Sequence, residues 1–108
     1  MAKELKIGKH VIGEGHPVYI IAEIGINHNG DIKIAEEMIR AAKNAGVSAV
    51  KFQKRTPLLC VPPEERNKMR ETPWGYITYL EYREHVEFGK EEYARIDQLC
   101  RELGIDWF

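Results

Sequence analysis

The sequence predicts an alternating α/β fold built on parallel strands, and three observations carry that prediction. An apolar run, VYIIAEIG, is followed by a helical pattern and then by a second apolar run, VSAVKFQ. A helical crossover of this length returns the chain in the same direction, so the two strands are expected to be parallel and connected right-handedly. A second amphipathic helix then leads into IDWF, which opens a third strand. The order is strand, helix, strand, long loop, helix, strand, or about two and a half βα units.

Taken from the N-terminus, LKI (residues 5–7) and HVI (residues 10–12) flank Gly8-Lys9 and predict a small hairpin. Residues 13–17 hold two glycines and a proline and read as a linker. Residues 18–24 are apolar except for Glu23, the pattern of a strand buried on both faces. In INHNGD, Asn29-Gly30 signals a turn and Asp31 suits a helix N-cap. Over 32–45 the apolar residues Ile34, Ala35, Met38, Ile39, Ala42 and Ala45 recur at helical spacing. Gly46 then supplies the left-handed stop, with Lys43 in the last turn. Residues 47–53 read as the second strand.

Residues 54–75 contain four of the five prolines and the charged run EERNKMRE. They read as one long connection, which in a compact domain is either functional or mobile. A short helix is expected within 76–88, packed through Tyr79, Leu80 and Val86. Residues 90–103 form a clear amphipathic helix with Tyr93, Ile96, Leu99, Cys100 and Leu103 on one side, closed by Gly104. The third strand runs from Ile105 to Phe108. A three-stranded open sheet leaves an apolar edge or face uncovered, and an eight-stranded barrel takes about 250 residues, so the expectation is the opening portion of something larger.

Composition narrows the function. The chain has 108 residues, 44% hydrophobic and 31% charged, with a net charge of −1. That suits one small globular domain, and the near-neutral charge without a basic stripe gives no support to nucleic-acid binding. No apolar run approaches the roughly 20 residues of a membrane span, and the N-terminus lacks a secretory pattern. Cys60 and Cys100 are too far apart in sequence for a CxxC pair, which points to a reduced, cytoplasmic protein. The histidines, at 10, 16, 28 and 85, show no metal-ligand spacing.

Two clusters can carry chemistry. Glu23 sits near the C-terminal end of an apolar strand, where a charge is costly unless it is used or paired. Asn27, His28 and Asn29 follow in the loop, the place where α/β folds build ligand sites. Lys51 and Gln53 alternate onto one face of the second strand, opposite Phe52. Glu23 and Lys51 are expected on adjacent strands, within ion-pair reach. Lys51 can bind phosphate or carboxylate, form a Schiff base, or simply pair with Glu23. His28 is expected to hydrogen-bond rather than to bind metal. Trp74, Tyr79 and Tyr82 read as packing, with covering of a substrate by Trp74 or Tyr76 as the alternative.

With these residues in view, IAEIGINHNGD followed by a helix and AVKFQ resembles the N-acetylneuraminate (sialic acid) synthase family. TPWGYITYLEYREHVEFGKEEY is similar to the region before the third strand in some members, so the resemblance spans residues 19–108. It implies the first two to three βα units of a TIM (β/α)₈ barrel, preceded by the hairpin, with the rest of the barrel and a C-terminal antifreeze-like domain absent. It implies condensation of phosphoenolpyruvate with an N-acetylated amino sugar, such as N-acetylmannosamine. C3 of phosphoenolpyruvate attacks the sugar aldehyde, water adds at C2 and phosphate leaves. By the same resemblance Glu23 is the catalytic acid of the first strand. Lys51 and Gln53 bind phosphoenolpyruvate, and Asn27 and His28 belong to the substrate loop. A divalent metal, Mn²⁺ or Mg²⁺, is implied with its ligands outside this chain, as is a homodimer; the 108 residues alone are expected to be inactive. The competing readings are another phosphoenolpyruvate-condensing barrel, such as a 3-deoxy-octulosonate-phosphate synthase, and a non-catalytic half-barrel that self-associates.

Overall fold

Two helices lie against one face of a three-stranded parallel sheet in the computed structural model, which describes residues 3–108. The chain opens with the antiparallel hairpin β1 (Leu5–Ile7) and β2 (His10–Ile12), Leu5 opposite Ile12. Then come β3 (Ile21–Gly25), α1 (Ile32–Ala45) and β4 (Ala49–Phe52), the expected βαβ unit, with β3 and β4 parallel. After α2 (Pro57–Cys60), β5 (Met69–Thr72), β6 (Gly75–Thr78) and α3 (Tyr79–His85), α4 (Lys90–Leu103) delivers β7 (Asp106–Trp107) alongside β4. The sheet order is β3-β4-β7.

Local chemistry sets the helix ends. The Asp31 carboxylate accepts the Lys33 N–H at 2.8 Å, and Gly46, at φ 88°, stops α1 in the left-handed conformation. Glu92 reaches back to accept the Gly89 N–H at 3.1 Å at the start of α4, and Gly104 ends it. The apolar stripes of α1 (Ala35, Ile39) and α4 (Ile96, Leu99, Cys100) meet Ile24, Val50 and Phe52 from the sheet. Burial pushes the Cys100 thiol up to about 11.

Two differences from expectation have physical causes. First, the strand at 18–24 is not buried on both faces. Regular pairing begins at Ile21, Val18 is 80% exposed, and Ile21 and Glu23 face away from the helices. Both crossover helices cover the same side, so the other side of the sheet stays open. The chain is elongated, with a radius of gyration of 17.0 Å. A compact chain of this length would show about 13 Å.

Second, residues 54–75 are not one loop. Pro57 starts the short helix α2, where its missing N–H costs nothing. Pro73 and Trp74 form the tip of the β5–β6 hairpin, between Thr72 and Gly75, which are paired with Gly75 at φ 103°. The prolines mark a helix start and a turn, which composition alone merges into a breaker-rich stretch.

The hairpin and the segment before β3 reach the far edge of the sheet, where His10 Nε2 lies 3.7 Å from Asp106 Oδ2 of β7. Tyr19 donates to Asp106 Oδ2 at 2.9 Å, and Lys9 Nζ donates to the Gly104 carbonyl at 3.0 Å. Burial, and then the bond to Asp106, push the Tyr19 phenol up to about 12. Among the described residues no helix is long and apolar enough to cross a membrane.

Candidate functional site

Glu23 and Lys51 are direct partners in the β3–β4 ladder, so both point from the open face of the sheet near its C-terminal end. Glu23 is exposed and Lys51 half-buried. Among the described residues neither makes a salt bridge within 4.0 Å or a side-chain hydrogen bond. The expected adjacency holds, and the ion pair does not form. An unpaired carboxylate and ammonium on one face leave both groups free for a ligand.

Gln53 continues the same face beyond the last ladder pair. Gly25 sits at φ 58° beside a register shift, and a Cβ there would lie 3.3 Å from the Gln53 Nε2. The glycine therefore does two things: it permits the bend that ends β3, and it makes room for the Gln53 amide.

The loop after β3 divides its polar residues. Asn27 is exposed, and its Nδ2 donates to the Ile24 carbonyl at 3.0 Å, closing the strand end. Asn29 takes the left-handed conformation, φ 54°, that the turn needs. His28 turns inward. It is 1% exposed, stacks on Phe88 at 3.9 Å between ring centroids, and accepts the Gly30 N–H on Nδ1 at 2.9 Å. Burial lowers its proton affinity, opposed by the Gly25 backbone and the Glu87 carboxylate. It hydrogen-bonds, as expected, but from within the core rather than on the rim.

Residues that sequence inspection passed over complete the frame. The Glu87 carboxylate, only 10% exposed, accepts the Arg55 N–H at 3.1 and 3.2 Å and the Lys54 ammonium at 3.1 Å. Its signal was an acid between Val86 and Phe88, both buried, immediately before α4. Tyr93 on α4 donates to the Gln53 carbonyl at 3.3 Å. Burial, then Glu87, raise its phenol pKa. Trp74 stacks on His85 at 4.5 Å and Arg70 lies over Tyr79 and Tyr82, so this aromatic group packs, as expected, while Tyr76 stays 62% exposed.

Chemically, Lys51 and Gln53 can hold an anion and Glu23 can accept or return a proton beside it. Among the described residues no three His, Cys, Asp or Glu side chains converge as a metal site.

The family model of the NeuB family matches residues 38–108. The N-acetylneuraminate-9-phosphate synthase of Mus musculus is 41% identical over 96 residues, which is 87% of this chain and 26% of that protein. The protein of the same name from Homo sapiens is 40% identical over 104 residues, 94% of this chain and 28% of that one. Among solved structures, the N-acetylneuraminic acid (sialic acid) synthetase from Leptospira borgpetersenii superposes with a TM-score of 0.78 at 30% identity, covering 100% of this chain and 34% of that one. The chain spans about a quarter of the length of these curated relatives.

Proposed function

The chain belongs to the NeuB family, and from that premise we propose that its Glu23–Lys51 face is one wall of the active site of a nonulosonic acid synthase. Phosphoenolpyruvate is condensed there with an N-acetylated amino sugar, and phosphate is released. The sheet and its two helices are the opening βα units of a (β/α)₈ barrel, with the open face turned toward the barrel interior. The single observation that carries the reading is the paired placement of Glu23 and Lys51, unneutralised, on that face.

Lys51 is the cation for the phosphate or carboxylate of phosphoenolpyruvate, and the Gln53 amide adds a donor at the same end. A preplaced ammonium lowers the cost of charge that builds as the tetrahedral intermediate forms and phosphate departs. Glu23 contacts the sugar and moves protons at its reacting oxygen. Asn27 and His28 shape the loop beside it, Asn27 from the surface and His28 from beneath. A divalent ion, Mn²⁺ or Mg²⁺, is proposed for the complete site, where it would supply Lewis-acid activation of the sugar aldehyde. The described residues do not form a site for it, so its ligands are assigned to residues outside this chain. The working protein is proposed to be a cytoplasmic homodimer.

The acceptor is N-acetylmannosamine or a close relative. Phosphoenolpyruvate contributes three carbons, so a nine-carbon product phosphorylated at C9, as in the names of the mammalian relatives, requires an acceptor phosphorylated at C6.

The test is phosphate release by the full-length protein from phosphoenolpyruvate with Mn²⁺, with N-acetylmannosamine, its 6-phosphate or no sugar. Sugar-dependent release, lost in Lys51→Ala and in Glu23→Ala, is the expected result. Release that needs no amino sugar, or that survives both substitutions, rejects the reading.

A further inference from the structure

The β3–β4 ladder does not by itself fix the rim of the proposed site. Its register shifts between Glu23 and Gly25, and pairing ends at Gly25 and Phe52, one residue short of Gln53. Something outside the ladder must hold the two strand ends at a constant spacing.

Residues 85–88, running from the last residue of α3 toward α4, touch both ends. On one side, a Cβ on Gly30 would lie 2.0 Å from the His85 carbonyl oxygen, so the loop leaving β3 is pressed directly on this segment. Phe88 stacks there on His28, from the same loop. On the other side, Glu87 grips the chain leaving β4. Both carboxylate oxygens accept the Arg55 N–H, and Oε2 also takes the Lys54 ammonium. These bonds are charge-assisted, and the Glu87 carboxylate that accepts them is only 10% exposed, although Lys54 is 58% exposed. Tyr93, just inside α4, adds its bond to the Gln53 carbonyl. None of these contacts uses the side chain of Glu23 or Lys51.

We propose that Glu87 is a positioning residue: by clamping Lys54 and Arg55 it holds Lys51 and Gln53 in fixed relation to the β3 loop that follows Glu23. The inference rests on the function proposed above for that face. A misplacement of about 1 Å between reacting groups can cost on the order of 10²-fold in rate, so a clamp remote from the chemistry affects turnover.

The experiment compares Glu87→Ala and Glu87→Gln in the full-length protein by two readouts. The first is amide hydrogen exchange at Arg55 and Gly30. The second is kcat and KM for phosphoenolpyruvate in Mn²⁺-dependent phosphate release. Glu87→Ala is expected to speed exchange at Arg55 about tenfold or more, as loss of a bond to a charged acceptor does. It should also lower kcat on the order of 10²-fold. Glu87→Gln keeps a neutral acceptor for the Arg55 N–H but loses the ion pair to Lys54, and is expected to fall between wild type and Glu87→Ala on both readouts. Unchanged exchange at Arg55 in Glu87→Ala overturns the clamp. Faster exchange with unchanged kcat and KM overturns the positioning role. A wild-type protein that releases no phosphate rejects the proposed function instead, and the Arg55 exchange then decides the clamp separately.

Discussion

Glu23 and Lys51 face each other across adjacent parallel strands without forming an ion pair. In a structural pair each charge would neutralise the other, and removing either would strand its partner. Here neither depends on the other. That separates activity from stability at both positions.

Lys51→Ala and Glu23→Ala are therefore expected to leave stability within about 0.5 kcal/mol of wild type, the range of substitutions away from structural contacts. Both are expected to abolish sugar-dependent phosphate release in the full-length protein. Urea melts alongside the phosphate assay check this. A large loss of stability in either variant would show that the residue is holding the fold together.

Gly30→Ala should be costly where Gly46→Ala is mild. Both glycines have positive φ, 74° and 88°. A Cβ on Gly30 meets the His85 carbonyl, whereas one on Gly46 meets nothing within 4 Å. Gly46→Ala is expected to cost about 1 kcal/mol from backbone strain, and Gly30→Ala clearly more than about 2 kcal/mol from strain plus displaced backbone. Equilibrium denaturation of the two variants measures the difference.

Stability should fall as pH drops below about 6.5, the ordinary histidine value, in part because of His28. Its folded-state pKa is lowered, chiefly by burial, so the unfolded chain takes up the proton first. Stability is then fully present above the unfolded pKa and is lost as pH falls toward the folded one. His28→Gln is expected to flatten the slope between pH 7 and 5 in urea midpoints. An unchanged slope would mean that His28 is not the group responsible.

The two thiols should differ sharply in reactivity. Cys60 is exposed, while Cys100 is buried, with its pKa raised to about 11. Brief treatment of the native protein with iodoacetamide at pH 8 is expected to add one carbamidomethyl group among these two, at Cys60, and denaturant should expose the second. Equal labelling of both in the native state would contradict the packing of α4 against the sheet.

The local elements were legible because their signals are local. The Asp31 cap, the Gly46 and Gly104 stops and the helical stripes place α1 and α4 at the expected boundaries. The two-residue period of strands put Lys51 and Gln53 on one face, with Glu23 expected on the adjacent strand; the β3–β4 register then sets Glu23 opposite Lys51. The EIGINHNG and KFQ motifs pointed to the family that the comparisons show. The tertiary structure decided what depends on residues far apart in sequence. That both helices cover one face leaves the other side of β3 open. The stacking of Phe88 draws His28 into the core, and Glu23 and Lys51, though partners in the ladder, do not form an ion pair. The grip of Glu87 on Arg55 spans 32 residues. No periodicity encodes such a contact, because it exists only once the helices and strands between have set where each backbone lies.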